Sequence, residues 1–204
     1  MSTTEFPDFF EAAPTIVVRD ALAEFLGAAR GGSIEYHYAD AVRLAGHSCP
    51  TVASAWLMAR AALRQLFAEE LPRRGEIKVD CRETRDAGVT GVMAAVFTLV
   101  TGAADEGGFR GLGPSFGRRG LLRYAQSIAG EFRVTRLDTD AAVDVTAHPE
   151  IVPSDPRMRE LMPLCLAGQA TPEQNQAFGV LWQDRVKRIF ERADDPALIE
   201  IQKV

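Results

Sequence analysis

Gly46-His47-Ser48-Cys49-Pro50 places an imidazole and a thiol two residues apart, immediately before a long run of helix-forming residues. From Thr51 to Glu70 there is no Gly or Pro, and Val52, Trp56, Ala59, Leu63 and Leu66 recur at spacings of three and four, which predicts an amphipathic helix. Pro50 suits its first turn, where a missing N–H forfeits no bond. His47 and Cys49 therefore stand at a helix N-terminus, where free amides and the helix dipole favour a thiolate and a neighbouring imidazole adds to the effect. Two chemistries follow from this pair. One is binding of a borderline-soft cation, zinc by default, with iron, nickel or copper as alternatives. The other is nucleophilic catalysis by Cys49 with His47 as its base. A buried thiol beside a capping histidine is the plain alternative and carries equal weight on spacing alone.

A cation needs further ligands, and the chain offers few. His37, ten residues before His47, is expected on the preceding short helix, from which a turn at Ala45-Gly46 would fold it back against the motif. Cys81, with Asp80 and Glu83 as neighbours, is expected on or near the end of a strand packed against the Thr51 helix. The plain readings are a partly buried histidine between Tyr36 and Tyr38, and a core thiol. His148, ahead of Pro149, and Cys165, on a stripe with Leu161 and Leu164, read as structural. The candidate metal ligands are thus His47, Cys49, His37 and Cys81, and the candidate catalytic pair is Cys49 and His47.

The elements that must position these groups mix both types. Ala21 to Leu26 has helical spacing, and a short helix is expected from about Tyr36 to Leu44. Glu76 to Glu83 alternates as a strand with one wet face. Val89 to Ala104 is apolar and ambiguous, read as strand, bend, then helix. Phe132 to Leu137 and Ala141 to Ala147 look like strands around an Asp-Thr-Asp turn. Arg157 to Leu166 and a segment from Thr171 to about Arg192 read as helices, with Thr171 as N-cap and Pro172 in the first turn, and Leu198 to Lys203 as a closing strand. The expected fold class is α+β, a mixed or antiparallel sheet packed by helices. Pro149, Pro153 and Pro156 suggest a boundary, giving a metal-binding core over residues 1–148 and a helical extension over 149–204.

Gly107 to Tyr124 is rich in glycine and holds Arg110, Arg118, Arg119 and Arg123 with no acid. It fits neither a phosphate loop nor a dinucleotide fingerprint, so a solvated loop pairing with surface acids is the favoured reading over anion binding.

Composition narrows the partners. With 204 residues, 47% hydrophobic and 25% charged, the chain can bury a core and is not a disordered polypeptide. A net charge of −5 argues against nucleic acid as a partner. No run of about 18 apolar residues predicts a membrane span, and Met1 to Glu11 lacks the pattern of a secretion signal, so a soluble cytoplasmic protein is expected. Cys49, Cys81 and Cys165 are too scattered for a disulfide framework and fit a reducing compartment.

At Gly46, His47, Cys49 and Pro50, entered from a short helix and followed by an Ala-rich one, the sequence resembles the FmdE-like family of formylmethanofuran dehydrogenase proteins, whose motif reads His-Gly-His-x-Cys-Pro-Gly. Ala45 and Thr51 stand where that motif has its first histidine and its second glycine. Asp80-Cys81 and Thr101-Gly102 are similar in order to later features of the family, at a wider spacing. The resemblance covers about Tyr36 to Phe109 and implies an α+β protein, commonly a homodimer, with a metal near the motif. It further implies either a component beside a molybdenum or tungsten enzyme or a stand-alone protein; an open position on the ion would let the protein act on or sense an unknown small molecule. It does not imply the dehydrogenase reaction, since an iron–sulfur ladder would need clustered cysteines. Haem ranks low because no attachment motif is present. A non-catalytic dimeric carrier, with the Thr51 and Thr171 helices as its dimer face, is the third alternative; Trp56 and Trp182 would then be contact residues, although core packing is the favoured use of both.

Overall fold

Residues 5–204 are described by a computed structural model. The reading of Met1 to Glu11 falls in part on residues 1–4, which lie outside the described residues.

The chain opens with one helical turn, α1 (Phe9–Ala12), and a strand, β1 (Ile16–Asp20), that buries Ile16, Val18 and Asp20. Asp20 caps α2 (Ala21–Phe25), its carboxylate accepting from the Leu22 and Ala23 amides at 3.0 and 3.1 Å. β2 (Ser33–Tyr36) returns antiparallel to β1, and α3 (Tyr38–Ala45) and α4 (Pro50–Phe67) follow. After β3 (Arg73–Arg74), parallel to β1, come β4 (Ile77–Cys81), α5 (Thr90–Thr101), β5 (Leu122–Arg123), β6 (Phe132–Arg136) and β7 (Ala142–Ala147). The chain closes with α6 (Met158–Leu166), α7 (Pro172–Phe190) and β8 (Ile199–Lys203).

The strands make two mixed sheets, ordered β2-β1-β3 and β5-β4-β6-β7-β8. In the larger, β4, β6, β7 and β8 pair antiparallel and β5 lies parallel to β4. Helices pack on the sheets, so the fold is α+β as expected. The period-two alternation of β4 buries Ile77, Val79 and Cys81 towards the helices.

α4 is the axis of the core. Its expected apolar stripe is present, yet every residue from Val52 to Ala59 is buried, because α3, α5, α7 and the large sheet surround it. Alanine suits this position, since a small side chain lets neighbours approach on all sides. Trp56 is fully buried and donates its indole N–H to Pro14 O at 2.9 Å. Val186, Ile189, Leu198 and Ile199, all beyond Pro156, enter the same apolar cluster, and β8 forms the sheet edge beside β7.

Three local expectations are corrected. Val89 to Ala104 has no strand: residues 90–101 are one helix, closed by Gly102 in the left-handed conformation at φ 74°. Burial against α4 and β4 decides for helix over the β-branched residues' preference. Tyr36 belongs to β2, so the following helix starts at Tyr38 with His37 as its N-cap. The region before Ala21, to which the sequence reading assigns no strand, contributes β1. Among the described residues, no helix is long and apolar enough to cross a membrane.

Candidate metal centre

The site begins where α3 stops. Gly46 takes the left-handed conformation at φ 76°, strained for any side chain, and turns the chain so that His47 follows without continuing the helix. His47 Nδ1 lies 3.0 Å from Ala45 O. A carbonyl oxygen only accepts, so Nδ1 carries the proton and donates it. That leaves the Nε2 lone pair directed at Cys49 Sγ, 3.3 Å away. His47 is exposed and Cys49 is buried.

Cys49 is the N-cap of α4. Its sulfur accepts from the Val52 amide at 3.5 Å, in the role a serine or aspartate oxygen usually fills, and Pro50 occupies the first turn. The sulfur thus faces a helix-terminal N–H on one side and an imidazole nitrogen on the other.

Ser48, between the two, is held by groups that sequence reasoning does not assign to the site. Its hydroxyl lies 3.0 Å from Tyr38 Oη, on α3. Tyr38 is fully buried, and burial pushes its phenol well above the usual range, so it stays protonated. The Ser48 carbonyl accepts from Trp182 Nε1 at 3.0 Å and from Gln183 Nε2 at 3.2 Å, both on α7. No spacing signal links residues more than 130 apart in the chain.

The remaining candidates lie elsewhere. His37 caps the opposite end of α3 from His47, and an eight-residue helix is about 12 Å long. Its imidazole is half-exposed and 3.9 Å from Glu35 Oε1. Cys81 is wholly buried on β4, where burial, and then the Asp80 carboxylate, push its thiol up to about 12. Among the described residues, no group of three or more His, Cys, Asp or Glu is placed to hold a metal ion. The structure brings together His47 and Cys49 and does not bring His37 or Cys81 to them. His148 sits between Glu150 and Glu200, at 3.2 and 3.3 Å, which raises its proton affinity.

Two arginines of the Gly107–Tyr124 segment pair with acids, but these are buried acids and not the surface acids expected. Arg118 donates to both oxygens of Asp20, at 2.7 and 2.8 Å, and Arg123 reaches both oxygens of Asp80, at 2.6 and 3.0 Å. Arg74 adds a further bond to Asp20 at 2.8 Å.

The donor pair fits a metal ion. Tetrahedral zinc with ordinary bond lengths separates a nitrogen and a sulfur ligand by about 3.6 Å, close to the separation found here. The Nδ1–H to Ala45 O bond is also the outer contact that metal-ligating histidines use to fix their tautomer.

Comparison with known proteins bears on the same region. A family model described as "FmdE, Molybdenum formylmethanofuran dehydrogenase operon" matches residues 44–198, a span that contains the motif. Among solved structures, a tungsten formylmethanofuran dehydrogenase FmdE-like protein from Syntrophus aciditrophicus is similar, at 17% identity. The match covers 83% of this chain and 72% of that one, with a TM-score of 0.42. No curated protein matches the chain.

Proposed function

The chain belongs to the FmdE family, and from the His47–Cys49 pair inside the matched span we propose that it binds a transition metal, zinc by default, with His47 Nε2 and Cys49 Sγ as its first two ligands. The observation that carries this reading is the bare Nε2 facing the sulfur at 3.3 Å, its tautomer fixed from behind by Ala45 O. His37 and Cys81 enter the proposal only as groups that would have to move to reach the ion. Positions that protein atoms leave open would take a small molecule, for turnover or for sensing. A bound metal would supply Lewis acidity there. The chain's own contribution is to orient the imidazole, to offer a helix-terminal N–H to the sulfur and to keep the sulfur largely out of water.

The proposal places the protein in the cytoplasm as a homodimer and does not extend to the dehydrogenase reaction. Metal analysis of the purified protein tests it. About one equivalent of metal per chain is expected, falling to background in both His47→Ala and Cys49→Ala. Unchanged metal content in the two variants would end the proposal.

A second reading has its own support, because the Cys49–His47 contact is also the geometry of a thiol nucleophile beside its base. In that reading metal loading inhibits, whereas in the first it is required.

A further inference from the structure

The Gly107–Tyr124 segment leaves two of its arginines without an acid. Arg118 and Arg123 hold buried carboxylates, whereas Arg110 and Arg119 form no ion pair among the described residues, and neither does Arg30 just beyond α2. Leu112 and Ser115 exchange backbone bonds at 2.9 and 3.1 Å, which closes the segment into a tight tip at Gly113-Pro114. Phe116 follows in the left-handed conformation at φ 63°, a strained state for a bulky side chain, and its ring stands 5.4 Å from that of Phe25 on α2. Phe25 and Leu26 are 66% and 63% exposed, and Phe109 and Leu112 are exposed too. The Arg119 N–H donates to Phe109 O at 3.2 Å and Arg110 follows Phe109, so both cations stand beside these apolar groups. The result is an apolar knob rimmed by arginines, the kind of exposed patch that marks an interaction surface.

The chain also carries the complement. A groove of about 570 Å³ runs between α1 and α3, with Phe6 and Phe10 on its wall, their rings stacked at 5.2 Å. Glu5, Asp8 and Glu11 line it and form no ion pair among the described residues, while Asp40 is held by Arg43 at 2.7 Å. The Arg43 guanidinium lies over the Phe6 ring at 5.2 Å, so this wall already seats a guanidinium against an aromatic face. Knob and groove stand at opposite ends of β1: α2 leaves from Asp20, whereas His37 of the groove follows Tyr36, which pairs with Ile16. A strand of that length spans about 17 Å, which keeps a knob from its own groove.

We infer that the knob of one copy docks in the groove of a second copy of this chain, Leu112 and Phe25 meeting the Phe6 wall while Arg110 and Arg119 meet Asp8 and Glu11. Copies with a net charge of −5 repel one another in general, so their association needs a contact at which opposite charges face each other. Three arginines without acids oppose three carboxylates without cations, with apolar groups at the middle of both surfaces, which is the anatomy of a specific interface. In a twofold dimer each copy gives one knob and one groove, so the contact forms twice. The inference rests on the homodimer proposed above, for which it supplies the contact, and is independent of the metal reading.

Sedimentation velocity of the full-length protein, with charges exchanged between the two surfaces, tests the docking. Wild type is expected to sediment as a dimer at micromolar concentration and to dissociate as salt rises. Arg110→Glu with Arg119→Glu, and separately Asp8→Lys with Glu11→Lys, are each expected to weaken association about a hundredfold, because each sets like charges face to face. Mixed in equal amounts, the two reversed proteins are expected to regain the wild-type affinity, since a reversed knob suits a reversed groove and each intact surface finds an intact one. Leu112→Ser is expected to weaken association about tenfold through the lost burial of one leucine. All five positions are exposed, and circular dichroism checks that each variant folds; Arg119→Glu and Glu11→Lys alone replace a double variant that does not. A wild-type dimer that either reversal leaves intact, or reversed proteins that stay monomeric when mixed, overturns the docking and leaves the homodimer standing. A monomeric wild type overturns both.

Discussion

His47 owes its useful form to a backbone oxygen and not to a charge. The bond to Ala45 O selects the tautomer, and the sulfur two residues on meets the nitrogen left bare. This part of the site is legible in the sequence because it is local: a glycine to stop one helix, a proline to start the next, and two chemically active residues between them. Sequence reasoning misplaces His37 for an equally physical reason, since the length of α3 keeps its first and last neighbours apart. Tyr38, Trp182 and Gln183 are invisible there as site residues because their contacts depend on tertiary packing. The thiols differ in a testable way. In metal-free protein, iodoacetamide should alkylate Cys49 at a rate that falls at least tenfold in His47→Ala, about the lower part of the range for a lost acid–base partner. Zinc should protect Cys49 while leaving Cys165 unaffected, and Cys81, buried and with its thiol pushed up to about 12, should stay unmodified throughout. Mass spectrometry of the peptides checks this, and equal protection of Cys165 would count against a zinc-specific effect.

Among the elements, α4 is the easiest to read and α5 the hardest. α4 has helix formers, a proline start and a clear period. α5 has an uncharged stretch whose β-branched residues mimic a strand until packing decides. The basic segment before β5 shows a further limit of sequence. Its arginines are expected to find surface acids, but the fold shows that Arg118 runs beneath Gly102 to reach the buried Asp20, 98 residues away. A Cβ at Gly102 would meet Arg118 Nη1 at 2.6 Å, so that glycine is needed for the pair as well as for the helix end. Asp20 thereby joins β1, β3 and this segment, and its two arginines hold its carboxyl down at about 2 despite burial. Because that value lies below the ordinary 3.8, the carboxylate's contribution is complete above about pH 4 and is lost as the pH falls towards 2. Asp20→Asn should therefore cost about 3 kcal/mol or more at pH 7, the usual penalty for stranding buried cations. The difference from wild type should shrink between pH 4 and pH 2. Urea unfolding over that range measures it, and a difference independent of pH would show that the charge is not what holds these elements together.

At the scale of the molecule, distant stretches of the chain meet at one turn. α3 and α4 supply the chemistry, and α7 returns to brace it before β8 completes the large sheet. The α+β class is readable from the mixture of periods. The smaller sheet is not, because β1 and β3 pair only through Arg19 with Arg73 and Asp20 with Arg74, too short and too distant a match for a pattern to show. The family match over residues 44–198 reaches past the motif into α7, so the brace lies inside the matched span. X-ray absorption at the zinc edge of the metal-loaded protein tests the central claim most directly. One sulfur at about 2.3 Å together with nitrogen at about 2.0–2.1 Å is predicted, the sulfur vanishing in Cys49→Ala. A shell of nitrogen and oxygen alone in the wild-type protein, or a sulfur that persists in that variant, would contradict it.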